Sequence, residues 1–299
     1  MPYVAFVFIC IVWGASFILM ERASHALGPV DIGLCRLLGG ALVLGIYWFF
    51  TRERVRFTRS ELWHIAVVAG LANSWPFVVQ PYAIIHAGEH AYFGMLVALV
   101  PLATILASIP MLGIFPTRRQ LIGVLGGMVC IVLAIHDGSA RGISTRLLVL
   151  ALSVPVSYAV SNAYVKWKLD HIPALPLTTM FLAMGGLFLL PLQVSPATLA
   201  QWSVGAPVEP HDWPTAMASI AFLSVVGTGI AILIFVGLIK TQGPLFAGMV
   251  TYVVPIQAIL WGQYDRETLT STQLLAIGGV LAMVALVQWG AAERQQATT

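Results

Sequence analysis

Charged side chains are scarce in this sequence: 15 lysines and arginines and 12 aspartates and glutamates among 299 residues, 9% in all. Soluble domains carry about 25% charged residues, so a water-soluble globular fold of this length is excluded. The formal charge of +3 is small and dispersed, which excludes a nucleic-acid surface, since that requires clustered basic residues. Cysteine is equally sparse. Cys10, Cys35 and Cys130 are an odd number lying in apolar stretches, so they read as packing residues rather than a disulfide framework. What is abundant is apolar side chain, at 59% of residues and a mean hydropathy of +0.90. The expected fold class is an all-α polytopic membrane protein, with the lipid bilayer as a partner.

A helix needs roughly 20 apolar residues to cross a bilayer core. Ten such runs fall at 3–20, 30–50, 62–85, 91–113, 120–136, 147–165, 176–194, 214–239, 245–263 and 273–290. The first has no basic leader or small-residue cleavage site and is expected to be a span, not a removable signal. The longest connection, 195–213, carries Pro196, Gly205, Pro207 and Pro210 with Trp202 and Trp213, and reads as a loop. With the N-terminus inside, the cytoplasmic loops hold ten basic residues, including Arg52, Arg54, Arg56, Arg59, Arg118, Arg119, Lys166, Lys168 and Lys240. The outside holds four: Arg22, Arg141, Arg146 and Arg266. This bias predicts both termini in the cytoplasm.

The chain also matches itself. Setting residues 84–106 over 238–260 aligns Ile85 with Ile239, Gly94 with Gly248, Met95 with Met249, Pro101 with Pro255 and Leu106 with Leu260, without a gap. Two five-span halves, 1–140 and 141–299, are expected. An odd number of spans per half makes the second enter from the opposite side, giving inverted repeats of the kind found chiefly in transporters.

WGASF at 13–17, Pro29 with Arg36 in the second run, VALVPLATIL around Pro101 and the duplicated five-helix unit together resemble the drug/metabolite transporter superfamily. The likeness is to its EamA-type ten-helix exporters, which include the aromatic amino-acid exporters. It covers nearly the whole chain, although Ala183 stands where a second Arg36 would be and the sixth run has no WG pair. The resemblance implies a cell (inner) membrane location and export of small metabolites through a central cavity.

Polar residues inside apolar spans are where such a cavity is sought, because an unpaired polar atom in hydrocarbon costs several kcal/mol. Trp13, Ser16, Phe17 and Met20 share one helical face, as do Asn73, Phe77 and Gln80. Tyr158, Ser161 and Asn162 add to them from the sixth run, and Thr251, Tyr252 and Gln257 from the ninth. As a set these residues predict a substrate pocket; singly, each is as well explained by interhelical bonding or packing. Pro101 and Pro255 are candidate hinges that would free the carbonyls of Val97 and Thr251. Arg36 lies about 9 Å from the outer end of its run, at 1.5 Å per residue. It is expected to snorkel outward or pair with Glu21 or Asp31, with anchoring and contact to a substrate carboxylate both open. No Asp or Glu falls at the centre of any run, so proton or sodium coupling is not expected.

His86, Glu89 and His90 spell H-x-x-E-H, the inverse zinc-peptidase pattern. That chemistry needs both histidines on one helix, and here Gly88 sits in a tight connector between two runs, so a solvated turn is the expected reading. No catalytic residue, metal or cofactor is expected. The leading function is export of aromatic and other apolar amino acids by alternating access, with a monomer as the working state. A broad drug or organic-cation exporter is the alternative, and a membrane-embedded metallopeptidase a more distant one.

Overall fold

Long apolar runs in hydrocarbon must satisfy their backbone polar groups within the segment, so helix is the local structure such a composition dictates. The computed structural model describes residues 2–51, 54–87, 96–137, 144–194, 212–254, 256 and 271–297. Among them there is helix and no strand. In chain order the helices are α1 (Pro2–Ser24), α2 (Pro29–Thr51), α3 (Arg59–Val68) and α4 (Trp75–Ala87). A 3₁₀ turn (Val97–Leu99) leads into α5 (Val100–Leu112), followed by α6 (Arg118–Asp137), α7 (Thr145–Lys168) and α8 (Ala174–Val194). Then come α9 (Trp213–Phe222), α10 (Ala231–Gln242), the short α11 (Pro244–Gly248) and α12 (Ser271–Ala297). Two π-helical segments, Ala69–Ser74 and Leu223–Ile230, join α3 to α4 and α9 to α10 into continuous rods.

Among the described residues six helical rods are long and apolar enough to cross a membrane: α1, α2, α3–α4, α7, α8 and α9–α10. Shorter apolar helices cover Val97–Leu112, Pro244–Val254 and Gly278–Val287. Each of the ten apolar runs is helical over its described part, apart from isolated turn residues. Outward faces expose Leu42, Phe49, Phe50, Val149 and Leu275, the surface lipid would cover. Capping fixes several ends. Thr58 and Glu61 form a capping box at the start of α3, as T-x-x-E before an apolar run requires. Asp212 caps α9 through the Thr215 N–H, and the bonds from Thr215 hold its carboxyl below the usual range.

The helices pack α2 against α8, α5 against α7, and α6 against α12, while α2 also lies along the second π segment. That last approach needs glycine: a Cβ on Gly40 would stand 3.1 Å from the Gly229 nitrogen and 3.2 Å from the Ser224 oxygen. The ion pairs among the described residues lie at the two ends of the bundle. At one end Lys166 bonds Asp170 (2.8 Å) and the Lys240 carbonyl, and His171 meets Glu61 (2.8 Å). At the other, Gln193 donates to Asp31, and Glu21 lies 3.8 Å from His25.

Candidate functional site

Between these ends α1, α2, α4, α7, α8 and α10 surround a cavity lined by aromatic, aliphatic and polar side chains. Trp13, Ser16 and Phe17 of α1 line it, with Asn73 of the first π segment and Phe77 and Gln80 of α4. Met20 of α1, Tyr158, Ser161 and Asn162 of α7, and Thr251 complete the predicted residues that the structure brings together. Phe181 and Phe235 enlarge the aromatic wall; neither could be singled out from a sequence in which apolar residues are everywhere.

Tyr252 is placed elsewhere. Its side chain is fully buried, its hydroxyl donates to the Val124 carbonyl at 2.7 Å, and its ring packs where α6 passes at Gly127. Neighbouring helical residues point about 100° apart, so Thr251 facing the cavity turns Tyr252 toward α6. Tyr252→Phe is expected to cost about 1 kcal/mol of stability, measured by unfolding in detergent, and to leave substrate affinity unchanged. Gln257 and Pro255 lie outside the described residues.

Pro101 is buried in the first turn of α5, directly after the 3₁₀ turn. The Val97 carbonyl is not free as the sequence reading expects: it accepts from the Val100 N–H. Proline at the start of a helix removes a donor that had no intrahelical partner, so the backbone is satisfied there without exposing an acceptor to the cavity.

The two π segments shape the cavity wall in a way that the sequence reading does not anticipate. An i→i+5 turn admits one extra residue and offsets the backbone ladder. Under the alignment that sets Ile85 over Ile239, Ala69 sets over Leu223 and Ser74 over Thr228, so the two segments begin at matching positions. In the first, Ser74 donates to the carbonyls of Ala69 (3.1 Å) and Gly185 (2.9 Å). In the second, the Gly227 carbonyl accepts the Trp13 indole N–H at 3.0 Å, and the Trp13 ring stands 4.8 Å from that of Phe235. Composition carries no signal for a π turn; glycine and small polar residues at 70, 74, 227 and 228 are the only trace.

Arg36 is the main correction. It neither snorkels nor pairs with Glu21 or Asp31, but lines the cavity and is 4% exposed. Its Nε donates to the Thr228 hydroxyl at 3.2 Å, its Nη1 meets the Met20 sulfur at 3.0 Å, and its guanidinium lies 4.2 Å from the centre of the Phe77 ring. Gly33 makes this possible: a Cβ there would come within 2.9 Å of the Phe77 carbonyl. With α2 and α4 so close, the arginine is directed across Phe77 rather than out along α2.

His86 turns its Nδ1 to the Tyr82 carbonyl (2.8 Å) and its ring onto the Tyr82 ring at 4.0 Å; Glu89 and His90 lie outside the described residues. Among the described residues no three metal-binding side chains cluster.

A helical bundle around a partly aromatic cavity can serve a transporter, and the sequence comparisons point to one. The model of the EamA-like transporter family matches residues 1–135 and 145–289. The chain belongs to the EamA-like transporter family. Similar proteins include the uncharacterized transporter YvbV of Bacillus subtilis (strain 168), 23% identical over 94% of this chain and 89% of that one. Another is the uncharacterized inner membrane transporter YedA of Escherichia coli (strain K12), 22% identical over 94% of this chain and 88% of its own length. A solved crystal structure shares the fold with a TM-score of 0.74 at 16% identity, covering 96% of this chain and 97% of the other. The protein is thus a multi-pass membrane protein of a family of transporters.

Proposed function

We propose that the protein exports small metabolites, most concretely aromatic and other apolar amino acids, across the inner membrane by alternating access, and is not an enzyme. The observation that carries this is the cavity wall: Trp13, Phe17, Phe77 and Phe235 offer apolar and stacking faces, while Asn73, Gln80, Asn162 and Thr251 offer neutral polar ones. The test is counterflow in liposomes holding the purified protein, across a panel of amino acids and cationic drugs. Exchange of labelled phenylalanine or leucine is expected; exchange of the drugs alone overturns the amino-acid reading.

Ten spans in two inverted five-span halves, 1–140 and 141–299, complete the proposal. Two separate segments matched by the family model and the paired π segments both support it, and Pro101 and Pro255 take equivalent places as hinges of the two gates. Both termini are assigned to the cytoplasm and one chain suffices for transport. The gathering of Glu61, Lys166, His171 and Lys240 at one end of the bundle supports placing 54–61, 166–171 and 240 on one side. In a chain freed of its own cysteines, a cysteine at Arg56 is expected to label from the cytoplasm and one at Asp212 from outside. Labelling of both from the same side overturns the topology.

A further inference from the structure

Arg36 keeps its charge at any pH a cell meets, and a buried guanidinium without an anion is costly in a membrane protein. Among the described residues no carboxylate pairs with it. Asp31 is engaged by the Gly28 N–H and by Gln193, and Glu21 is within reach of His25. Among the described residues that line the cavity none is acidic. The partners Arg36 does have, a hydroxyl, a thioether and an aromatic face, hold it in place and leave its charge unneutralised. A second orphan points the same way. Asn73, 1% exposed, lines the same cavity one turn before Phe77, and its Nδ2 has no hydrogen-bond partner. A buried donor without an acceptor is uncommon in folded proteins and asks for an explanation. Arg36 and Asn73 thus both line this cavity, the one carrying a fixed positive charge and the other a buried N–H donor without a partner, among aromatic and neutral polar side chains.

We infer that Arg36 and the Asn73 amide form an anion subsite of this cavity, and that the transported species is an organic carboxylate with an apolar body. This rests on the transporter reading above and narrows its substrate class. Guanidinium meets carboxylate through parallel N–H donors, a geometry that an amine or a neutral aromatic cannot exploit. The aromatic wall takes the apolar body. An organic cation entering the same space meets like charge with no acidic side chain to offset it, so the subsite also selects against cations.

Three ligands that share one apolar body separate the charges: L-phenylalanine, 3-phenylpropionate and phenethylamine. Binding to the purified full chain in detergent and counterflow in liposomes are read separately. The expected result is that both carboxylates bind and the amine binds at least roughly tenfold more weakly. Arg36→Met is expected to lower carboxylate affinity roughly 10- to 100-fold, the usual loss for a charged hydrogen-bond partner, and to erase the discrimination, while Arg36→Lys restores part of it. Should Arg36→Met fail to fold, the ligand series on the unaltered protein still decides. Amine binding equal to that of the acids, absence of binding by either acid, or full carboxylate affinity in a folded Arg36→Met variant overturns the anion subsite. Carboxylate-selective binding without counterflow overturns the transporter reading and leaves the subsite standing, whereas counterflow of the amine at the rate of the acids does the reverse.

Discussion

Gly33→Ala is expected to destabilise the protein by about 1–3 kcal/mol, the range for overpacking a closed contact, and to depress transport in the molecules that remain folded. The new Cβ would lie 2.9 Å from the Phe77 carbonyl oxygen and 3.2 Å from a Leu189 methyl. The first of these is backbone, so α4 itself has to retreat from α2. Moving α4 draws the Phe77 ring away from the Arg36 guanidinium, which lies 4.2 Å from its centre, and so disturbs the cavity as well as the packing. The control is Gly237→Ala in α10, where a Cβ meets nothing within 4 Å. There the exchange should be neutral or mildly stabilising, because alanine is the better helix former by about 1 kcal/mol. Thermal unfolding in detergent of the two variants checks this; equal midpoints would show that α2 and α4 are not in closed contact at Gly33.

Trp13→Ala is expected to reduce counterflow roughly tenfold or more, through loss of affinity and of stability together. The indole ties α1 to the second π segment by its bond to the Gly227 carbonyl at 3.0 Å, and it forms the cavity wall beside Phe235. Removing a large aromatic from a packed site costs up to about 3–5 kcal/mol, and a half-buried one that faces a cavity sits at the lower end. Trp13→Phe separates the parts, since it keeps a ring against Phe235 and leaves the Gly227 carbonyl without its side-chain donor. Its expected signature is lost stability of about 1–3 kcal/mol with substrate affinity largely kept. Concentration dependence of counterflow and unfolding midpoints for both variants are the measurements. Wild-type transport by folded Trp13→Ala would leave the residue as packing alone.

Both expectations depend on how helices meet, and this divides what could be read from the chain. Helical secondary structure, its placement along the chain and the polar residues worth watching follow from composition, because apolar runs of bilayer length have few alternatives to helix. The shared faces of Trp13, Ser16 and Phe17, and of Asn73, Phe77 and Gln80, follow from helical periodicity, and the structure sets both faces on one cavity. Periodicity could not choose between Thr251 and Tyr252, which are adjacent and both polar; the position of α6, which offers the Val124 carbonyl to Tyr252, made that choice.

Composition and periodicity thus specify a membrane-embedded helical protein with a discrete set of polar side chains inside its spans. The fate of Arg36 and of the two π segments rests on contacts between distant parts of the chain. A long cationic side chain can reach outward or fold inward at similar local cost, and the outcome rests on Gly33 admitting Phe77 and on Thr228 offering its hydroxyl from a distant part of the chain. The π turns likewise have no local pattern of their own. They persist where tertiary partners, Ser74 with Gly185 in one rod and Gly227 with Trp13 in the other, engage carbonyls that a regular helix would keep within its own ladder.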